Sequence, residues 1–329
     1  MTYLGELISI GVAFSWTATA LLSEFGSKRL GNLTLNVLRM ALTLLFSLVL
    51  FMVVMGNPLP TMGISAEACG WMLLSGLVGY VIGDFCLFQC YIIIGSRFGQ
   101  LFMTLAPLSA ALMAWVTLGQ QMTLMNVVAM LVTLFGIGIS VIGRASPQPS
   151  PRGEGAAYLK SPSVWRGWGG GLSLKLPLNG VLFAIGAAVC QGVGLVLSKI
   201  GMDHYEVVEG MPDWLVPFSA NFYRCIAGII GFLLLLCFRD GMGHLREAIH
   251  DKKGLSAATA TTIFGPFVGV GFSLMAVQYT GAGIASTLMA MTPIIILLPS
   301  HWLFHKKITW RAVIGAFISV IGVSLFFME

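Results

Sequence analysis

Ten stretches of this sequence stay apolar for about the 20 residues that an α-helix needs to cross the hydrocarbon of a bilayer. They run over 7–23, 33–54, 69–94, 98–118, 123–143, 178–200, 215–238, 255–278, 282–304 and 309–328. Lipid offers no water to satisfy a backbone, so such runs must close their own hydrogen bonds as helices. The expected fold class is an all-α polytopic membrane protein with ten transmembrane helices. Composition agrees: only 9% of the 329 residues are charged and the mean hydropathy is +0.89, against roughly 25% charged residues in soluble domains. The first run lacks the basic segment that opens a secretory signal, so it is expected to stay as a span.

The net charge of +5 is spread over connections between apolar runs, which is a topology signal rather than a nucleic-acid footprint. Lys28 and Arg29 lie in the first connection, Arg97 in the third, and Arg144, Arg152, Lys160, Arg166 and Lys175 in the fifth. Arg239, Arg246, Lys252 and Lys253 lie in the seventh, and Lys306, Lys307 and Arg311 in or after the ninth. The even connections hold only Lys199 at a helix end, and the sixth is acidic through Asp203, Glu206, Glu209 and Asp213. Under the positive-inside rule the odd connections are cytoplasmic and both termini face outward. Residues 144–177, rich in Ser, Pro and Gly, read as a flexible linker between a first domain, 1–143, and a second, 178–329. Gly169-Gly170-Gly171 is not followed by Lys and Ser or Thr, so it is no phosphate loop. Asn32-Leu33-Thr34 matches a glycosylation triplet, a pattern short enough to arise by accident. The six cysteines (Cys69, Cys86, Cys90, Cys190, Cys225, Cys237) sit in or beside apolar runs without metal-ligand spacing, so they are expected to pack as small hydrophobes. No metal or cofactor is expected.

The chain repeats itself. Offset by 186 residues, Gly79 meets Gly265, Gly83 meets Gly269, Gly95 meets Gly281, Pro107 meets Pro293 and Gly136 meets Gly322. Offset by 185, Asn36 and Arg39 meet Asn221 and Arg224; offset by 175, Trp16, Ser23 and Gly26 meet Gln191, Ser198 and Gly201. Each half holds five helices, an odd number, so the copies would enter the membrane in opposite directions. Such inverted repeats place a site at the midplane between the halves of many secondary transporters.

At this point the sequence resembles the drug/metabolite transporter superfamily, in its ten-helix EamA branch. The resemblance is carried by the helices of Pro107 and Pro293, each ending in a short polar turn (Gly119-Gln120-Gln121-Met122-Thr123; His305-Lys306-Lys307-Ile308-Thr309). A Gly-punctuated helix follows each turn, and Arg39 and Arg224 stand near the starts of equivalent helices. The resemblance implies export of amino acids or related metabolites. The chain departs from the family in carrying Gln120 and Lys306 where a Glu is common. It departs again in having no Lys or Arg in its second connection, which reverses the orientation usual for the family.

Asp84 draws most attention: an acid in the middle of a span, on a frame whose copy carries Val270. A charge there costs roughly 2.5–3.5 kcal/mol on insertion scales and marks a cavity or a partner. It reads as a fixed ion pair with Arg39, as a proton-coupling group, or as a substrate contact. Arg39 and Asp84 would lie about 9 Å and 15 Å from the same face, within reach of an Arg side chain. Arg224 reads either as a snorkelling residue or as an inward cation, the latter giving each half one site for a carboxylate or phosphate. Trp16, Asn36, Gln89, Gln100, Gln191 and Asn221 complete the candidate substrate-binding set with Arg39, Asp84 and Arg224. Pro107 and Pro293 are candidate hinges through the kink a mid-helix proline makes. Glu24 and His301, near helix ends, read as solvated or interfacial. The expected function is secondary transport of a small polar metabolite across the inner membrane by a monomer or weak homodimer. The alternatives are a non-transporting sensor or scaffold, and an enzyme embedded in the membrane, for which no catalytic constellation is found.

Overall fold

The apolar runs fold as helices joined by tight turns. The computed structural model describes residues 3–59, 64–119, 123–141, 176–204, 211–238, 242–280, 288–304 and 308–325. In chain order the helices are α1 (Leu4–Leu30), α2 (Asn32–Met55), α3 (Ala66–Ile93), α4 (Ser96–Thr117) and α5 (Leu124–Val141). Then come α6 (Leu178–Asp203), α7 (Asp213–Phe238), the polar helix α8 (Met242–His250), α9 (252–280), α10 (Thr292–Phe304) and α11 (Trp310–Leu325). The chain is thus an all-α, multi-pass membrane protein. Seven of these helices are long and apolar enough to cross a membrane, while α5, α10 and α11, at the fifth, ninth and tenth runs, are shorter. The linker at 144–175, the polar turn residues Gln120 and Lys306, and Glu206 and Glu209 lie outside the described residues.

Turn chemistry sets the joints. Gly95 and Gly119 take φ of +87° and +64°, a region that a Cβ disfavours. Ser65 caps α3 by accepting the Ala68 N–H at 3.1 Å. Pro107 does not bend a continuous helix. The chain tightens into a 3-10 turn at Met103–Leu105, and Pro107 then stands in the first turn of a restarted helix. Pro293 likewise stands in the first turn of its segment. At a helix start the missing N–H costs nothing, so the break is a local rewinding rather than a strained kink.

A second irregularity carries more weight. α3 widens into a π-helix over Leu77–Asp84, and α9 does so over Ile263–Phe267. The two segments begin 186 residues apart. In α9 the cause is visible, because Pro266 lies within the segment and has no N–H to give. Widening leaves carbonyls in need of donors, and the other half's first helix supplies them. Gln191 Nε2 on α6 donates to Gly79 O at 3.2 Å, and Ser15 Oγ on α1 donates to Phe264 O at 2.6 Å.

Packing between the halves is reciprocal. α1 lies on α9, α6 lies on α3, α2 lies on α7, and α5 lies on α11. The α5–α11 seam is made of small residues: Gly136 faces the backbone of Ser319, Gly322 faces Thr133, and Ser319 Oγ donates to Thr133 O at 3.4 Å. Its outer faces, with Leu131, Phe135, Phe317 and Ile321, are exposed. Without a hydrophobic drive between helices in lipid, such close approach supplies the attraction. A Cβ on Gly136 would come within 2.5 Å of Ser319 N, whereas one on Gly138 meets nothing within 4 Å. Gly136→Ala should therefore destabilise the purified protein by about 1–3 kcal/mol, and Gly138→Ala should leave its thermal midpoint in detergent unchanged.

Candidate functional site

The widened turn of α3 ends on Asp84, and a buried polar network is arranged around it. Arg39 on α2 donates through Nη1 to Asp84 Oδ2 at 3.0 Å and to Asn36 Oδ1 at 3.0 Å. Gln191 on α6 donates to Asp84 Oδ1 at 2.7 Å. Asn36 donates to Asn32 Oδ1 at 2.8 Å, and Asn32 reaches the Phe85 carbonyl at 2.8 Å and Gln89 at 3.4 Å. The Arg39 guanidinium lies 4.5 Å from the Phe88 ring centre. Both members of the ion pair are buried, so the network satisfies charges that neither water nor lipid reaches. Of the readings open for Asp84, the ion pair with Arg39 is the one this geometry contains.

A second cluster borders the first. The Arg224 guanidinium on α7 lies 4.8 Å from the Tyr80 ring centre. Tyr80 OH donates to Asn221 Oδ1, and Asn221 Nδ2 donates to Pro266 O at 2.9 Å. Arg224 is only 9% exposed, which excludes the snorkelling reading. Among the described residues it has no ion pair, and its Nε is sealed without a hydrogen-bond partner.

Equivalent residues meet equivalent residues across the halves. A Cβ on Gly79 would lie 3.2 Å from Arg224 Nη2, and one on its counterpart Gly265 would lie 3.4 Å from Arg39 Nη2. In the same way Gly83 faces Gln191 Nε2 and Gly269 faces Trp16 Nε1. The glycines leave room where cations and donors from the other half press against the helix.

With this geometry in view, comparison with known proteins decides the family. The model of the EamA-like transporter family matches residues 3–142 and again 178–328. The chain belongs to the EamA-like transporter family. This is a family of transporters and not of enzymes, and among the described residues no three His, Cys, Asp or Glu side chains gather to hold a metal. A curated relative, the "Uncharacterized transporter YetK" of Bacillus subtilis (strain 168), is 27% identical over 154 residues, 47% of this chain. The match spans 42% of that relative's length. A solved structure, described only as a crystal structure of a protein, shares the fold with a TM-score of 0.58 at 16% identity, over 99% of this chain and 96% of that one.

For this EamA-like chain the sequence-derived set separates into parts. Asn36, Arg39, Asp84 and Gln191 form one network with Gln89 at its edge, and Asn221 and Arg224 form its neighbour. Gln100 stands apart, donating to Tyr91 OH at 2.6 Å. Trp16 lies across from Gly269 and contacts neither cluster through a hydrogen bond. A cavity of about 380 Å³ opens elsewhere, between α1 and α9, lined by Phe14, Ser15, Phe264 and Phe272. Three residues were not foreseen. Asn32 is buried in the network, not displayed as a glycan acceptor, and Tyr80 and Phe88 supply ring faces to the two arginines. Glu24 is a correction: it is fully buried, accepting from Ser96 N and Oγ at 2.6 Å each and from Lys28 Nζ at 2.6 Å. It satisfies the free N–H at the start of α4, where no water is needed.

A buried pair that loses one member strands the other. Asp84→Asn and Arg39→Gln should each destabilise the protein by about 3–5 kcal/mol. The double variant should recover most of that loss, read as thermal midpoints in one detergent.

Proposed function

We propose that this chain is a secondary active transporter of a small polar metabolite, working by alternating access between two inverted halves of five helices each. The supporting observation is that the contact closing one end of the bundle is made again, from equivalent positions, at the other end. At one end Arg29, last turn of α1, binds Asp251, the N-cap of α9, through two hydrogen bonds. At the opposite end His204, which ends α6, meets Ser65 and Glu67 at the start of α3: Ser65 Oγ donates to His204 O at 3.2 Å and His204 Nε2 lies 3.5 Å from Glu67. Arg29 and His204 are 175 residues apart, and Ser65 and Asp251 are 186 apart, the offsets of the repeat itself.

A carrier needs a closure at each face and a site between them. In this reading the two clasps are the closures and the Asp84 and Arg224 clusters are the site. The 3-10 turn before Pro107 and the turn before Pro293 are the places where the helices flex. By the charge of the connections, Arg29 and residues 144–177 face the cytoplasm, the termini face outward, and the membrane is the inner one. The name of the relative, a transporter, and the twofold family match support the same reading. Export of an amino acid or related metabolite is the class that the family resemblance suggests.

The two clasps differ chemically. Asp251 is held below the usual carboxylate range, chiefly by hydrogen bonds from Arg29. A depressed carboxyl contributes while ionised, so that clasp holds above the ordinary aspartate range and is lost only in acid, as pH falls through the lowered value. The other clasp is an ion pair only when His204 carries a proton.

Transport by this route has a direct test. With the six native cysteines replaced by Ala, disulfides at positions 29 with 251, and at 65 with 204, should each stop flux in proteoliposomes. Reduction should restore it. Flux that persists under complete cross-linking at either end would rule out alternating access through these faces. If Asp84 also couples protons, Asp84→Asn should abolish accumulation driven by a pH gradient while sparing exchange; unchanged accumulation would remove that role.

A further inference from the structure

Between α2, α3, α6 and α7 the bundle holds Arg39, Arg224 and a single acid, Asp84, a surplus of one positive charge among the described residues at that depth. The distribution of partners is uneven. Both oxygens of Asp84 are engaged, one by Arg39 and one by Gln191, and Arg39 also holds Asn36. Arg224 has none of this. Its guanidinium rests on the Tyr80 ring, beside the bare Cα of Gly79, and its Nε, like that of Arg39, is sealed from water without an acceptor. Burying a cation without an anion is among the costlier arrangements a fold can hold.

We infer that Arg224 is the receiving group for the substrate, and that the substrate is a small organic monocarboxylate without an ammonium group. This rests on the transporter reading and narrows it. A carboxylate matches the guanidinium fork and cancels the single surplus charge, whereas a doubly charged phosphate would overshoot it. An α-amino acid also brings an ammonium, which needs an anionic partner. The only acid in the two clusters, Asp84, already has both oxygens bonded. Tyr80 and Asn221 stand beside Arg224 to meet the rest of the molecule, and their own hydrogen bond reaches Pro266 O in the widened turn of α9. Seating the anion therefore touches the helices of both halves that the site has to couple.

The test uses the full chain in lipid nanodiscs and two ligand triplets: lactate, lactamide and alanine, then phenyllactate, phenyllactamide and phenylalanine. Binding is followed by the shift in thermal midpoint and by intrinsic fluorescence. The hydroxy acid of at least one triplet should bind about ten- to hundredfold more tightly than its amide and its amino acid, the range of a charge-assisted hydrogen bond. Arg224→Gln should erase that preference and Arg224→Lys should keep part of it. Because Arg224→Gln removes an unpaired charge, its ligand-free midpoint should not fall, unlike that of Arg39→Gln, which strands Asp84. Equal binding within both triplets, preference for the amino acid, a preference that survives Arg224→Gln, or a collapse of the ligand-free midpoint in that variant would each overturn the inference. Flux of an uncharged or zwitterionic compound would do the same while leaving the transporter reading intact. Selective binding without any flux would instead overturn that reading and keep the site.

Discussion

A carboxylate in the middle of a bilayer-spanning helix has to be answered from somewhere, and in this protein the answer organises the fold. Asp84 draws Arg39 from α2 and Gln191 from α6, the first helix of the other half. Three helices from both halves are thereby tied at one atom pair. The tie is specific in a way that apolar packing in lipid is not, since lipid tails solvate leucine as well as a neighbouring helix does. The apolar clusters fill space; the charged core fixes rotation and register. The π-helical turn ending on Asp84 belongs to the same device, because its Gly79 carbonyl takes a second hydrogen bond from the same Gln191 amide that serves the carboxylate.

The second half shows what the frame does without an acid. Val270 stands where Asp84 does, yet the π turn is kept, here with Pro266 within it, and its Phe264 carbonyl is met by Ser15. The frame is thus a property of the duplicated backbone, and the acid is an addition to one copy. Its consequence is that the two arginines, equivalent in sequence, are not equivalent in chemistry. Among the described residues Arg39 is ion-paired, and Arg224 has a ring face and no ion pair.

What the sequence made legible follows from the physics of each signal. Length and hydropathy reveal spans because lipid punishes every unsatisfied group, and seven such spans are helices of full length. The proximity of Arg39 and Asp84 could be argued from depth alone. Rotation about a helix axis is another matter. In a helix apolar on every side the period carries no contrast, so nothing told whether Arg224 faced lipid or bundle, or that Gln100 would bond Tyr91 rather than join the core. Glu24 looked like a helix-end residue because its burial is decided by Ser96, 72 residues away. The π turns were hidden because one extra residue per turn leaves no mark on a continuous apolar run; Pro266 inside such a run was the available clue.

Asymmetry on a symmetric frame has a mechanical meaning. If both halves carried the same charges, each cluster would satisfy itself and nothing in the interior would favour a ligand. With the acid on one copy only, one arginine is locked and serves structure, while the other has no ion pair of its own among the described residues at the seam of α3 and α7. The ends differ in the same sense: Arg29 with Asp251 is a charged pair across neutral pH, whereas His204 with Glu67 depends on a proton. A carrier whose two faces close with unequal strength has a resting preference, and a ligand that neutralises the interior can offset it only by binding the two conformations differently. The surplus charge at Arg224 is where such a difference would be felt most strongly, because Arg224 presses on α3 at Gly79, where Gly194 of α6 also meets it.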